Sequence, residues 1–156
     1  MGAVLLWCFV IGVVSGLRAF TGPAAVVWAA HLGWINLSGS PLAFMASKWA
    51  LGIFTILALV EYVTDQLPST PARTVPMQLG ARLVLGAMAG ACLGVAGGSS
   101  WIVGVVTAAV GALVGTFGGY RARTGLVRAL GVPDIAVAIP EDLVAICLGF
   151  LAVSRL

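Results

Sequence analysis

Long apolar runs alternate with short polar breaks along the chain. The runs cover Ala3 to Leu17, Leu42 to Val63, Leu83 to Gly98, Trp101 to Phe117 and Pro140 to Val153. Each approaches the roughly 20 residues that a helix needs to cross a bilayer. Two shorter apolar pieces, Pro23 to Ile35 and Leu126 to Ile139, are too short to span comfortably and read as half-helices that dip into the membrane and return. The pattern predicts an all-α integral membrane protein of about five transmembrane helices with two half-helices or re-entrant segments.

Each short piece follows a copy of one motif. GLRAFTG at Gly16 to Gly22 returns as GYRARTG at Gly119 to Gly125, with arginine and threonine in register. Arginine is expensive within a membrane, so its recurrence at corresponding breaks predicts a duplicated functional element. The whole chain, 1–156, then reads as a single membrane domain. Residues 3–63 form repeat unit one, 64–98 a loop and linker helix, and 99–156 repeat unit two. With a single crossing between the units, five crossings make this an inverted-topology repeat; counting both short pieces as crossings puts the motifs on the same side.

Composition narrows the class further. The chain is 61% hydrophobic and 8% charged, with a mean hydropathy of +1.13, which excludes an ordinary soluble domain. The net charge of +3 comes from scattered residues, so nucleic-acid binding has no support. Cys8, Cys92 and Cys147 have no metal-ligand spacing and read as packing residues, so no metal or cofactor is expected. HExxH, GxSxG and a Ser-His pairing are all missing, which argues against an enzyme. With five crossings and a cytoplasmic amino terminus, Arg73, Arg82, Arg121, Arg123 and Arg128 fall inside, while Arg18, Lys48 and Arg155 fall outside. Trp34, Trp49 and Trp101 gather at the outer interface.

The candidate chemistry follows the motif and the acids. Thr21 before Gly22 and Pro23, and Thr124 before Gly125, suit the caps of short helices. Such helices would aim free N–H groups where Arg18, Arg121 and Arg123 reach, a combination suited to binding an anion. Glu61 and Asp65 share a face at a helix C-terminus, where they repel each other and oppose the dipole, so a partner is expected: Arg73, Arg82, a motif arginine, a cation or a proton. Glu141 and Asp142 follow Pro140 and read as first-turn acids, with a motif arginine as the alternative partner of Glu141. Asp134 reads as local to a turn and His31 as interfacial. Gly86, Gly90 and Gly94, with Gly111 and Gly115, form small-residue faces for helix packing within the chain or between subunits, and a homodimer is expected. The proline-containing loop from Asp65 to Gln78 crosses the surface or closes over the cytoplasmic mouth.

GLRAFTG near the start, EYVTDQLP after the second run, RLVLG from Arg82 and PEDLVAI before the last run resemble a bacterial family of small multi-pass membrane proteins, domain of unknown function 4126. The resemblance covers most of the chain. It departs at Gln66, where the family's E-x-x-x-D-K-x-P pattern has lysine, and it implies the bacterial inner membrane but no activity. From the residues, the leading expectation is a transporter or channel for a small anionic solute, with Arg18, Thr21, Arg121, Arg123 and Thr124 as its binding site. Glu61, Asp65 and Glu141 are the coupling or gating candidates. A cation or proton-coupled carrier using Glu61 and Asp65 is the alternative, and a non-transporting scaffold that binds lipid headgroups is the third.

Overall fold

The computed structural model describes residues 2–67 and 69–156. Six α-helices follow one another: α1 (Gly2–Leu17), α2 (Thr21–His31), α3 (Lys48–Thr64), α4 (Pro76–Ala96), α5 (Trp101–Leu130) and α6 (Asp134–Ser154). A 3₁₀ turn, Ala43–Ala46, precedes α3. No strand occurs among the described residues. Helices α4, α5 and α6, of 21, 30 and 21 residues, are long and apolar enough to cross a bilayer, and α1 adds a shorter apolar helix of 16. This is the make-up of a membrane protein.

Local chemistry explains the helix ends. Ser47 accepts the Ala50 amide at the start of α3, and Ser100 accepts the Ile102 amide at the start of α5. Pro76 opens α4, where a missing N–H has no intrahelical partner to lose. Gly131, with φ of 62°, ends α5 in a left-handed cap that a side chain would strain.

Glycines set how the helices cross. Gly12 lies against Ala108 and Gly16 against Ala112 and Thr116, so α1 and α5 run in the same direction. Gly86 lies beside Ala112, Gly90 beside Gly104 and Ala108, and Gly94 beside Ser100, so α4 runs against α5. The glycine faces seen in the sequence are thus consumed within the chain. Arg18 meets Asp142 and Val14 lies by Gly149, so α6 runs against α1. Thr21 meets Tyr62 and Trp28 meets Thr55, so α3 runs against α2. The chain therefore reverses direction at each of the six helices.

That alternation corrects the inverted repeat. Both motif copies lie at one end of the bundle, with Gly119 beside Leu17, the outcome that follows from counting both short pieces. The two copies also fold differently. The first contains a break at Arg18 to Phe20; the second lies inside the uninterrupted α5. Leu126 to Ile139 is no half-helix: it comprises the end of α5, the turn at 131–133 and the start of α6. The first short piece does become a short helix, α2, but it does not turn back, because α3 starts at the opposite end. The segment after α2 completes its depth, with Ile35, Leu37 and Met45 buried.

Two further boundaries move. Helix α6 begins at Asp134 and carries Pro140 internally, so Glu141 and Asp142 are not first-turn acids. The loop after α3 spans 65–75 rather than reaching Gln78, because Pro76 starts α4; Pro68, one of the two prolines left in the loop, lies outside the described residues.

Candidate functional site

All five acidic residues of the chain gather at the end of the bundle where α1 meets α2. Few positions in so apolar a chain can hold a charge, and each carboxylate here finds an arginine. The charges fall into an inner and an outer group.

The inner group is built on Arg18, which the break between α1 and α2 turns into the bundle and which is 0% exposed. Its Nε donates to Asp142 Oδ1 and its Nη1 to Asp65 Oδ2. Arg82, 1% exposed on α4, reaches the same Asp65 oxygen at 3.4 Å. It also donates to the carbonyls of Gly16 (3.1 Å) and Leu17 (2.8 Å), the last turn of α1, where a cation is favoured by the dipole. Glu61, on α3, lies 3.8 Å from Arg82 Nη2. Its two oxygens accept the backbone N–H groups of Ala19 at 2.6 Å and Phe20 at 2.9 Å, just before α2 begins. The anion at the head of α2 is the protein's own Glu61. Three carboxylates therefore face two guanidinium groups.

The outer group is electrically balanced. Arg73, from the loop, grips Glu141 through two bonds of 2.6 and 3.0 Å. Arg123, on α5, reaches Glu141 at 3.3 Å and pairs with Asp134 through two contacts, one of 2.8 Å from Nε. A cavity of about 270 Å³ is lined by residues of both groups, Asp65 and Arg82 from the inner and Arg73, Arg123 and Asp134 from the outer. Thr70 and Thr124 add hydroxyl groups.

A family model described as domain of unknown function (DUF4126) matches residues 5–155. The chain belongs to this family. No curated protein and no solved structure matches it. The DUF4126 match spans every residue of both charged groups and carries no activity of its own.

The expected binding residues separate in space. Arg18 is enclosed between two carboxylates, which leaves little of its charge for an outside anion. Thr21 does not cap α2: Phe20 occupies that position without a side-chain bond, and the Thr21 hydroxyl meets Tyr62 Oη at 2.7 Å. Thr124 is not a cap either, because it sits within α5 and donates to the Tyr120 carbonyl at 2.8 Å. Arg121 is exposed on α5, about 100° around the helix per residue from its neighbours and away from Arg123, which lines the cavity. Arg18 stands at the same end as Arg73 and Arg82, so these arginines do not divide between two sides of the bundle.

Asp142 and Tyr62 carry more of the site than the sequence reading assigned. Small residues at Ala138, Ala145, Gly149 and Ala152 mark the packed stripe of α6, and Asp142 lies in it. Glu141, one position earlier, points to the outer group instead. Among the described residues, no set of three or more His, Cys, Asp or Glu side chains is arranged to hold a metal ion.

Proposed function

We propose that this chain is a small membrane carrier or channel for a proton or monovalent cation, with Glu61 and Asp65 at its coupling site. The supporting observation is the inner group: three carboxylates against two guanidinium groups, largely buried beside a cavity that Asp65, Arg82 and Arg123 help to line. The amides ahead of α2 offset part of the Glu61 charge, on the order of half a unit, and the remainder favours a bound cation. Arg18 and Arg82 fix the geometry and keep the attraction weak enough for release.

In liposomes carrying a pH-sensitive dye, Glu61→Gln should slow cation-driven proton flux at least about tenfold, the expected loss when an essential ionisable group is removed. Arg121→Ala should leave the flux unchanged. Unaltered flux in correctly folded Glu61→Gln and Asp65→Asn proteins would overturn the assignment. An anionic solute is the second reading, supported by Arg73, Arg82 and Arg123 around one cavity. It requires anion flux that is lost with Arg123→Ala.

The charged end faces the cytoplasm in this proposal. Arg18, Arg73, Arg82, Arg121, Arg123 and Arg128, six of the eight basic residues, lie at that end, in keeping with the positive-inside rule. Val4 and Leu156 both approach Gly97 at the other end, so Gly2 also lies there and, in this proposal, faces outward, whereas the sequence alone suggests a cytoplasmic amino terminus. A membrane-impermeant thiol reagent should label Ser69→Cys from the cytoplasmic side and Ser38→Cys from outside; the opposite sidedness refutes the orientation.

A further inference from the structure

We propose that the Thr21–Tyr62 hydroxyl pair is a gate between the inner charged group and a second cavity, through which the transported proton or monovalent cation passes. The second cavity, of about 150 Å³, lies between α2, α3 and α6 and is lined largely by apolar residues, including Ala25, Ala58 and Phe150. Hydrogen bonds bracket it at both ends. Thr21 and Tyr62 meet at 2.7 Å on the side of the charges, and Trp28 Nε1 donates to Thr55 Oγ1 at 3.0 Å on the other.

The two brackets differ in freedom. The Thr55 hydroxyl donates to the Leu51 carbonyl at 2.6 Å, so its proton is committed and it can only accept from Trp28. Either hydroxyl of the Thr21–Tyr62 pair can donate, so the pair can reverse or part and offer a lone pair to a passing cation. Tyr62 follows Glu61 directly, and Thr21 follows the two residues whose amides Glu61 holds. Occupancy of Glu61 by a proton weakens its grip on those amides and loosens the anchor on which Thr21 sits. Asp142, Glu61 and Arg18 are the charged groups that act on the Tyr62 hydroxyl. The stations form a sequence: the outer cavity at Asp65, then Arg18 and Asp142, then the hydroxyl pair, then the second cavity.

Helix α3 is suited to move. Its outer face exposes Trp49, Ile53, Ile56, Leu59, Val60 and Val63. Sliding it against α2 disturbs the two bracketing bonds and the Glu61 contacts without parting the glycine-packed α1, α4 and α5.

This gate rests on the cation reading, and its test needs no flux. In protein carrying Cys147→Ala and the cavity reporter Ala58→Cys, Cys8 and Cys92 stay buried and the reporter is the thiol to be read. A membrane-impermeant trimethylammonium-ethyl thiosulfonate, added to vesicles from the charged side, should label the reporter about fivefold faster with Tyr62→Phe than with the pair intact, the factor carried by one ordinary hydrogen bond. Thr21→Val breaks the same bond from α2 and should match it. Equal labelling rates with and without the pair overturn the gate, whatever flux Glu61→Gln retains. Conversely, flux indifferent to Glu61→Gln, with the labelling difference preserved, removes the cation reading and leaves an opening into the second cavity.

Discussion

Arg18→Ala is expected to destabilise the folded protein by about 3–5 kcal/mol, the range for removing one partner of a buried ion pair. The loss exceeds that of a packing defect because half-buried Asp65 and buried Asp142 both lose their central cation. Arg82 still reaches Asp65, but Asp142 keeps no other arginine among the described ion pairs. Thermal unfolding in detergent should show a large drop in midpoint and a shrunken monodisperse peak. Arg18→Lys should recover only part of it, since one ammonium on a shorter donor set cannot span two carboxylates on different helices as a planar fork does. The cycle that isolates the cause adds Asp65→Asn and Asp142→Asn to Arg18→Ala. Recovery of stability in that triple variant is expected; equal destabilisation of the single and triple variants would remove the unpaired-charge argument.

Different parts of this arrangement were legible in the sequence to different degrees, for physical reasons. Apolar runs carry a strong local signal, so the helical membrane class and most helix positions follow from them. The alternation of helix directions did not follow, because α2 is completed in depth by Ile35, Leu37 and Met45 from a segment whose only helical element is the short 3₁₀ turn. The second motif copy misled for a related reason. Gly-rich sequence permits a break at 119–125 but does not impose one, and the helix runs on when both sides can satisfy their backbone bonds.

The site shows the same division. That Glu61 and Asp65 needed a positive partner was readable from their spacing on one helix face, and Arg82 was among the candidates. Asp142 could have been found as well: Ala138, Asp142, Ala145 and Gly149 recur at helical spacing, and a carboxylate in such a small-residue stripe faces the bundle. Pro140 obscured this by suggesting a helix start. The pairing of Arg73 with Glu141 joins residues 68 positions apart. Only the tertiary path of the loop brings them together, and no local pattern records it.

Gly104→Ala is expected to prevent normal folding although it adds a single methyl group. Its Cβ would meet the Gly90 carbonyl, with the carbonyl carbon at 2.9 Å and Ala91 Cα at 3.3 Å. These are backbone atoms of α4, so no rotamer change relieves the overlap and the two helices must separate. Separation strips contacts along the α4–α5 seam, where Gly86, Gly90 and Gly94 allow close approach. Overpacking of this kind costs about 1–3 kcal/mol when side chains can yield and more when only backbone can. Gly118→Ala provides the opposite outcome on the same helix. Nothing lies within 4 Å of its added Cβ, and alanine favours a helix interior over glycine by about 1 kcal/mol. Unfolding midpoints should therefore move in opposite directions for the two substitutions. A Gly104→Ala protein as stable as the parent would mean that α4 and α5 do not meet backbone to backbone. The shared end of the bundle would lose its footing too, because Arg82 reaches the carbonyls of α1 from α4, the helix that this seam holds in place.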